Sequence, residues 1–330
     1  MKITVLGAGS WGATLAALLL ENGNDVVLWE IDKKRAQNLQ SRKIKPFKAG
    51  IELPKKLVVT NSLDSIKKSG AVLFAVPSQY MRSTCEFLKS NGVTLDKKLV
   101  ISATKGIENE TLLRMSEVIN EVFPKTYKNT AVLSGPSHAE EVCRKVPTVV
   151  TSAAASLEVA EKARKLFMNK YFRVYTQTDI IGVETGAALK NVFAIASGIV
   201  DGLKFGDNTK AAIVSRGLIE LARIGVALGG KEKTFYGLSG AGDLMVTCFS
   251  RHSRNRAVGE AVGQGHSAAA AEKSLGMVAE GITNAVSAYE IGKKLNVELP
   301  IINAVYKVLF KGKKPLDAVT ELMTRAPKHE

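Results

Sequence analysis

The chain has 330 residues, of which 45% are hydrophobic and 23% charged, a composition typical of a globular protein with room for two domain cores. No apolar run in the sequence is as long as a membrane span, which argues against an integral membrane protein. The net charge of +15 comes from short, dispersed lysine pairs without interleaved aromatic residues, which favours a solvated basic surface over nucleic-acid binding.

The cysteine pattern also excludes several classes of protein. Cys85, Cys143 and Cys248 are scattered and odd in number, so they indicate neither a disulfide framework nor a zinc site. We therefore expect no metal, and a reducing, cytoplasmic setting.

The first predicted elements are a strand, a glycine-rich turn and a helix. An apolar run at 3–6 precedes Gly7, Gly9 and Gly12, which have the spacing G-x-G-x-x-G, and strong helix formers follow at 13–20. In a dinucleotide site these glycines provide a tight turn, close approach to a pyrophosphate and close strand–helix packing. An ordinary βα turn that contains glycine is the alternative interpretation.

A second strand at 25–29 ends in Glu30, about 20 residues beyond the glycines. A carboxylate at this position accepts a hydrogen bond from a ribose 2′-hydroxyl. The sequence therefore predicts a bound NAD-type dinucleotide.

Strands and helices continue to alternate after Glu30. We predict a helix at 32–42, a loop at 46–54, and helices at 81–90 and 111–122. Further strands are predicted at 57–60, 71–77, 99–103, 131–134 and 148–152, with an edge strand at 172–175. This alternation indicates a mostly parallel sheet covered on both faces.

Ligands of such sheets bind beyond the carboxyl ends of the strands. Lys105 follows the strand at 99–103, and Gly135, Ser137 and Ala139 follow the strand at 131–134. The ammonium of Lys105 would then face the cleft, although an ordinary loop lysine is the alternative. Small residues at 135–139 would let a ligand approach the backbone.

The pattern changes at about residue 179, where strands stop and alanine-rich helices begin. A long helix at 180–200 is predicted to join the two parts. We predict an α/β fold with a Rossmann-type domain at 1–183 and an all-α substrate-binding domain at 184–330.

Lys190 lies inside the predicted helix at 180–200, among apolar neighbours and with no carboxylate partner on that helix. Burial of this kind lowers the pKa of a lysine toward neutrality and suits a group that exchanges a proton with a hydroxyl. The alternative is a lysine whose stem lies on apolar surface and whose ammonium reaches water.

Two later segments offer polar groups for a substrate. The glycine-rich turn at 238–244 presents Asp243, and Thr247 follows one helical turn later. The run at 253–256 contains Ser253, Arg254 and Asn255, and an arginine suits bidentate recognition of phosphate. A basic solvated loop is the alternative interpretation of that run.

Several motifs occur in an order that resembles the NAD(P)-dependent glycerol-3-phosphate dehydrogenases of the bacterial type. They are GAGSWG (7–12), AVPS (75–78), ATKGIE (103–108), SGPSHAEEV (134–142), ALKNVFAI (188–195), FGDNTKAAIVSRGL (205–218), GLSGAGDL (237–244) and SRNR (253–256). The resemblance covers nearly the whole chain. It implies reversible reduction of dihydroxyacetone phosphate to sn-glycerol 3-phosphate for phospholipid synthesis, and a homodimer.

The resemblance also implies roles for individual residues. Lys190 matches the proton donor and acceptor, and Lys105 a residue that contacts cofactor and substrate. In the mechanism that we expect from these roles, Asp243 and Thr247 assist Lys190 in exchanging the proton. The matched cofactor contacts are Ser10, Trp11, Ala139, Arg254, Val278 and Glu280. The matched substrate contacts are Gly135, Ser137, Asp243, Ser253, Arg254 and Asn255.

In one place the chain departs from the pattern of this family. Many members carry Arg or His directly after the second strand, where this chain has Glu30, Ile31 and Asp32. A carboxylate repels a 2′-phosphate, so the sequence favours NAD over NADP, although the basic residues at 33–35 could still reach a phosphate.

Two other functions stay open at this stage. A related two-domain dehydrogenase of hydroxy acids or sugar acids would need a carboxylate-binding group, which SRNR could supply. A non-catalytic protein that senses nucleotides or binds nucleic acid would show salt-sensitive binding and would not need a lysine in an apolar helix.

Overall fold

The computed structural model describes residues 1–46, 53–276, 278–327 and 329. The chain divides into two compact units, the first formed by residues 1–105 and 113–184 and the second by residues 106–112 and 185–330. Most of the predicted loop at 46–54 lies outside the described residues.

The first unit contains an eight-stranded sheet in the order β3-β2-β1-β4-β5-β6-β7-β8. Its strands are β1 (Lys2–Leu6), β2 (Asp25–Trp29), β3 (Val58–Thr60), β4 (Ala71–Phe74), β5 (Leu99–Ser102), β6 (Thr130–Ser134), β7 (Thr148–Ala154) and β8 (Phe172–Gln177). Neighbouring strands are parallel except for the pair β6 and β7. The predicted mostly parallel sheet is confirmed, with β8 at its edge.

Helices cover both faces of this sheet. They are α1 (Ser10–Glu21), α2 (Lys33–Gln40), α3 (Asp64–Lys67), α4 (Met81–Ser90), α5 (Met115–Val122), α6 (Ala139–Cys143) and α7 (Leu157–Phe167). In β1, Val5 packs in one core with Leu15 of α1, whereas Leu6 packs in another with Leu88 of α4. Successive strand residues point to opposite faces, so the apolar β1 is buried on both sides.

The helix predicted at 111–122 begins later than expected. Leu112 has a φ of 61°, which lies in the left-handed region and cannot be part of an α-helix. Arg114 is extended, and its backbone N–H donates to Oε2 of Glu117 at 2.9 Å. This cap starts α5 at Met115, so the first turn of the prediction is wrong.

The described residues of the second unit are helical and contain no strand, which confirms the predicted all-α part. The elements are α8 (Ile180–Gly202), α9 (Gly206–Ala227), α10 (Glu232–Phe235), a π-helical turn (Leu238–Gly242), α11 (Asp243–Phe249), α12 (Arg254–Gly263), α13 (Ala268–Leu275), α14 (Glu280–Lys294), α15 (Pro300–Phe310) and α16 (Pro315–Met323). The boundary between the units falls within α8.

Helix α8 is long and apolar enough to cross a membrane, but 89% of its most apolar window is buried inside the protein. Leu189, Phe193 and Val192 on α8 are completely buried in the core of the second unit. Its apolar composition is therefore that of a core helix.

Candidate active site

The glycine-rich turn after β1 is tightly packed on one side and open on the other. Gly7 has a φ of 102°, in the left-handed region that favours glycine. A Cβ on Gly12 would lie 2.0 Å from the Gly7 carbonyl oxygen, so only glycine permits this close packing. A Cβ on Gly9 would meet no described atom within 4 Å, which leaves space for a ligand. No side chain of the described residues caps α1, so its first N–H groups can bind an anion.

The next two residues of the motif have different surroundings. The hydroxyl of Ser10 donates to the carbonyl of Pro46 at 3.3 Å. The indole Nε1 of Trp11 is buried and has no hydrogen-bond partner among the described residues. A buried donor without a partner is unusual, and a bound ligand would supply one.

Glu30 follows β2 directly, and the backbone N–H of Gly7 donates to the Trp29 carbonyl at 2.9 Å. The Glu30 side chain is 12% exposed and its Oε2 lies 3.2 Å from Nε of Arg35. Nη2 of Arg35 also donates to the Ala8 carbonyl at 3.3 Å. Arg35 therefore links the acidic residue to the glycine-rich turn.

The residues predicted at the ends of β5 and β6 meet at one carbonyl group. Nζ of Lys105 donates to the oxygen of Gly135 at 3.0 Å, and the hydroxyl of Ser137 donates to the same oxygen at 2.9 Å. Gly135 has a φ of 143°, and a Cβ there would lie 2.9 Å from Cα of Val150. Ala139 is the first residue of α6 and is half-buried.

In the second unit, Lys190 is paired inside the protein. Its Nζ lies 2.5 Å from Oδ1 of Asp243 and 2.6 Å from Oγ1 of Thr247. Lys190 is 6% exposed, Asp243 1% and Thr247 4%. The Thr247 hydroxyl donates to the Asp243 carbonyl at 2.5 Å, so its oxygen is oriented to accept from the lysine.

The backbone of α8 allows α11 to reach this lysine. Gly186 lies one turn before Lys190, and a Cβ there would be 2.7 Å from the Ser239 carbonyl. Ser239 belongs to the π-helical turn that leads into Asp243. Asp243 and Thr247 are four residues apart on α11 and therefore share one face.

A neutral thiol lies next to this cluster in the sequence. Burial raises the pKa of Cys248 to about 12, with the positive charge of Lys190 acting in the opposite direction. Cys248 therefore adds no negative charge beside the lysine.

The beginning of α12 forms the second group of predicted residues. The Ser253 hydroxyl accepts from the backbone N–H of Arg256 at 3.2 Å and caps the helix. The backbone N–H groups of Arg254 and Asn255 have no partner among the described residues, as expected in a first helical turn. The exposed Arg254 donates through Nη1 to the Val278 carbonyl at 2.9 Å. Together these groups can bind an anion.

The Asn255 side chain is engaged within the protein. Its Nδ2 donates to Oδ1 of Asn191 and its Oδ1 accepts from the backbone N–H of Gly281, both at 2.9 Å. An amide nitrogen has two N–H donors, so the second N–H of Nδ2 and the backbone N–H of Asn255 can still bind an anion. That Asn255 contacts the substrate stays a prediction. Gly281 follows Glu280, which is half-buried at the start of α14, whereas Val278 is exposed.

Arg256 ends the same motif but takes a structural position. Its Nη1 donates to Oδ2 of Asp201 and its Nε donates to the Ser250 carbonyl at 3.2 Å. These bonds fix the loop before α12 to the end of α8.

Two pairs of glycines bring α8 and α12 into backbone contact. A Cβ on Gly198 would lie 1.9 Å from the Arg256 carbonyl, and one on Gly202 would lie 2.3 Å from that of Glu260. In the same way, a Cβ on Gly259 or Gly263 would lie 2.0 or 2.5 Å from a carbonyl oxygen of α8. This packing fixes the beginning of α12 relative to Lys190.

Family models and similar proteins agree on one assignment. The model described as "NAD-dependent glycerol-3-phosphate dehydrogenase N-terminus" matches residues 2–160, and that described as the C-terminus matches residues 179–320. The chain belongs to the NAD-dependent glycerol-3-phosphate dehydrogenase family. The family assigns it to the oxidoreductases and confirms the resemblance found in the motifs.

Individual members of the glycerol-3-phosphate dehydrogenase family align with the whole chain. Proteins named glycerol-3-phosphate dehydrogenase [NAD(P)+] from Fusobacterium nucleatum subsp. nucleatum and Bacillus cytotoxicus are 46% and 48% identical to it. The alignments cover 100% of this chain and 98% and 97% of those proteins. The crystal structure of the enzyme from Coxiella burnetii is 33% identical, with a TM-score of 0.89 over 98% of each chain.

More distant structures share the fold alone. D-mandelate dehydrogenase in complex with NADH has a TM-score of 0.60 at 13% identity, over 94% of this chain and 98% of its own. A likeness this remote does not transfer a substrate.

The contacts of Lys190 with Asp243 and Thr247 agree with the expectation that these two residues assist the lysine. The carboxylate comes from α11, and none was expected on the helix of Lys190 itself. Asn191, the next residue in ALKN, was not predicted to have a role, yet it holds Asn255. The sequence signal that could have indicated this role is that Asn191 directly follows Lys190.

Proposed function

We propose that this protein catalyses the reversible, NAD(P)-dependent reduction of dihydroxyacetone phosphate to sn-glycerol 3-phosphate. The observation that carries the proposal is the buried group of Lys190, Asp243 and Thr247, in the same unit as an anion-binding helix terminus. The substrate has a phosphate at one end and a carbonyl carbon next to its other end. The phosphate requires the helix terminus, and the carbonyl requires the buried lysine group. Membership of the glycerol-3-phosphate dehydrogenase family supports the same reaction.

The residues of the first unit fit NAD or NADP. Gly7, Gly9 and Gly12 with the free N–H groups of α1 would hold the pyrophosphate. Ser10 and Trp11 would contact the nucleotide, and Ala139, Arg254, Val278 and Glu280 would complete the cofactor contacts. When bound, the reduced nicotinamide supplies the hydride that the carbonyl carbon accepts.

The substrate phosphate would bind at the beginning of α12. Arg254 supplies a guanidinium, and the backbone N–H groups of Arg254 and Asn255 lie at the positive end of the helix dipole. Ser253 caps this helix and keeps those N–H groups oriented. Lys105, Gly135 and Ser137 would hold the rest of the substrate against the cofactor.

Lys190 would transfer the proton. In the reduction its ammonium gives a proton to the C2 oxygen as that carbon accepts the hydride, and in the oxidation the amine takes the proton back. Asp243 and Thr247 hold Nζ in place at 2.5 and 2.6 Å. The carboxylate also stabilises the ammonium from which the proton leaves.

One assay tests this proposal. NADH oxidation is followed at the absorbance of the reduced nicotinamide with dihydroxyacetone phosphate, and in parallel with 2-keto acids of similar size. We expect turnover with dihydroxyacetone phosphate and none with the 2-keto acids. A higher kcat/KM for a 2-keto acid would favour a hydroxy-acid dehydrogenase instead.

We further propose that the enzyme uses NAD in preference to NADP, because the Glu30 carboxylate would accept a hydrogen bond from a ribose 2′-hydroxyl. Titrating both reduced cofactors at a fixed concentration of dihydroxyacetone phosphate measures this preference. A tenfold or greater preference for NADPH would contradict it.

The organisation of the protein in the cell is also proposed. Residues 1–183 would form the cofactor-binding domain and residues 184–330 the substrate-binding domain. We propose a cytoplasmic homodimer whose product enters phospholipid synthesis, as the family resemblance implies. Light scattering would give the mass in solution, and a mass of one chain across micromolar concentrations would refute the dimer.

A further inference from the structure

The Arg35 guanidinium is held at two points. Its Nε lies 3.2 Å from Oε2 of Glu30, and its Nη2 donates to the Ala8 carbonyl at 3.3 Å. Ala8 stands between the first two glycines of the turn, and Glu30 follows β2. A side chain anchored to both elements has little freedom to leave this position.

The anchored guanidinium still has donors available. An arginine carries five N–H donors, and these two bonds use two of them. The Arg35 side chain is 43% exposed, whereas that of Glu30 is 12% exposed. The other N–H groups can therefore bind a ligand without breaking the bonds to Glu30 and Ala8.

The position of Glu30 indicates which part of a ligand is involved. On the proposed function, its carboxylate accepts from the ribose 2′-hydroxyl of NAD. A 2′-phosphate at the same place would be repelled by an isolated carboxylate, but Arg35 neutralises this one and offers a planar fork of donors.

We propose that Arg35 is a specificity-determining residue that binds the 2′-phosphate of NADP while Glu30 holds it in place. Glu30 and Arg35 then form one unit that serves both cofactors. NAD uses the acceptor, and NADP uses the donors of the arginine. This inference depends on the proposed dinucleotide site but not on the identity of the substrate that is reduced.

The neighbouring lysines provide a matched control. Lys34 precedes Arg35 in α2 and is exposed, and its side chain makes no hydrogen bond or ion pair with the described residues. Lys34→Gln removes the same charge as Arg35→Gln from an adjacent position. If Arg35 acted only through its positive charge, the affinity for NADPH would fall equally in the two variants.

The test measures cofactor binding without substrate. NADH and NADPH differ only by the 2′-phosphate, and their dissociation constants are obtained by fluorescence titration of the wild type, Arg35→Gln, Arg35→Lys and Lys34→Gln. We expect Arg35→Gln to weaken the binding of NADPH about 10- to 100-fold and the binding of NADH less than about threefold. Arg35→Lys should lie between, because a lysine keeps the charge without the fork.

Three results would overturn the proposal. Equal losses of NADPH affinity in Arg35→Gln and Lys34→Gln would indicate diffuse charge. Equal losses of NADH and NADPH in Arg35→Gln would show that Arg35 only supports the glycine-rich turn. Unchanged NADPH binding would show that it does not contact the phosphate. Thermal unfolding of each variant verifies that it is folded. If Arg35→Gln does not fold, the comparison is made with Arg35→Lys.

The binding experiment separates this inference from the proposed function. A wild type that binds NADPH through Arg35 but does not turn over dihydroxyacetone phosphate would refute the reaction and keep the inference. A wild type that binds neither nucleotide would refute both.

Discussion

The ammonium of Lys190 lies 2.5 Å from Oδ1 of Asp243, and both side chains are almost completely buried. The proposed proton donor is thus half of an ion pair whose other half comes from a different helix. Burial alone would favour a neutral amine, and the carboxylate opposes this by stabilising the ammonium. On the proposed function, Nζ would carry the proton that is transferred.

The first prediction concerns the role of this lysine. Lys190→Met should lower kcat about 10²- to 10⁴-fold, the usual contribution of a proton-transfer group, while the dissociation constant of NADH changes less than about threefold. Stopped-flow and fluorescence titration measure the two quantities. A kcat like that of the wild type would exclude the role.

Removing the lysine also leaves Asp243 buried without its cationic partner, which should cost about 3–5 kcal/mol of unfolding free energy. The double variant Lys190→Met with Asp243→Asn removes both charges and should regain much of this loss while staying inactive. Lys294→Met, at an exposed site near the end of α14, is the control for the change of side chain.

The second prediction tests phosphate binding at the beginning of α12. Arg254→Gln should lower kcat/KM for dihydroxyacetone phosphate about 10- to 100-fold, because it removes a charge-assisted contact with the phosphate. Arg251→Gln removes an equal charge from the exposed loop three residues earlier and should change kcat/KM less than about threefold. Similar losses in the two variants would instead support a merely basic loop.

The third prediction concerns the glycine contact between α8 and α12. A Cβ on Gly259 would lie 2.0 Å from the Ile195 carbonyl, so Gly259→Ala must separate the two helices. We expect a loss of about 2–3 kcal/mol in the free energy of unfolding, measured with urea, together with a higher KM for the substrate.

Gly70→Ala is the control for that substitution. A Cβ at Gly70 would meet its nearest neighbour at 3.6 Å, an ordinary contact, and its unfolding free energy should change by less than about 0.5 kcal/mol. If Gly259→Ala were as stable as this control, the close packing would have no energetic importance.

The fourth prediction is a pH dependence of stability. Burial raises the pKa of Glu220 to about 7, although its carboxylate accepts from the backbone N–H groups of Ile301 and Ile302 at 2.7 and 3.1 Å. The folded pKa exceeds the unfolded value of 4.5, so the folded state binds the proton more tightly. This contribution to stability is present below about pH 4.5 and is lost as the pH rises through 7.

Between pH 5.5 and 8 this group alone should lower the free energy of unfolding by about 2 kcal/mol. Urea denaturation of the wild type and of Glu220→Gln at both pH values isolates the effect, because glutamine does not titrate. An identical pH dependence in both proteins would show that Glu220 titrates alike in the folded and unfolded states.

Local patterns predicted much of this protein because their causes are local. The glycine spacing at Gly7, Gly9 and Gly12, the apolar runs of the strands and the change to alanine-rich helices follow from backbone sterics and hydrophobic periodicity. The start of α5 was misjudged, since the left-handed Leu112 and the cap at Arg114 are choices among conformations of similar energy.

The sequence by itself determined the mostly parallel sheet, the helical second part and which residue types carry the chemistry. The resemblance had already grouped Asp243 with Lys190, but only the tertiary structure decided the contacts themselves: Asp243 with Lys190, Asn191 with Asn255 and Arg35 with Glu30. The first two pairs join residues more than 50 positions apart, and Arg35 also reaches the distant glycine-rich turn at Ala8. Such contacts form only when helices and strands pack, so no local pattern could specify them.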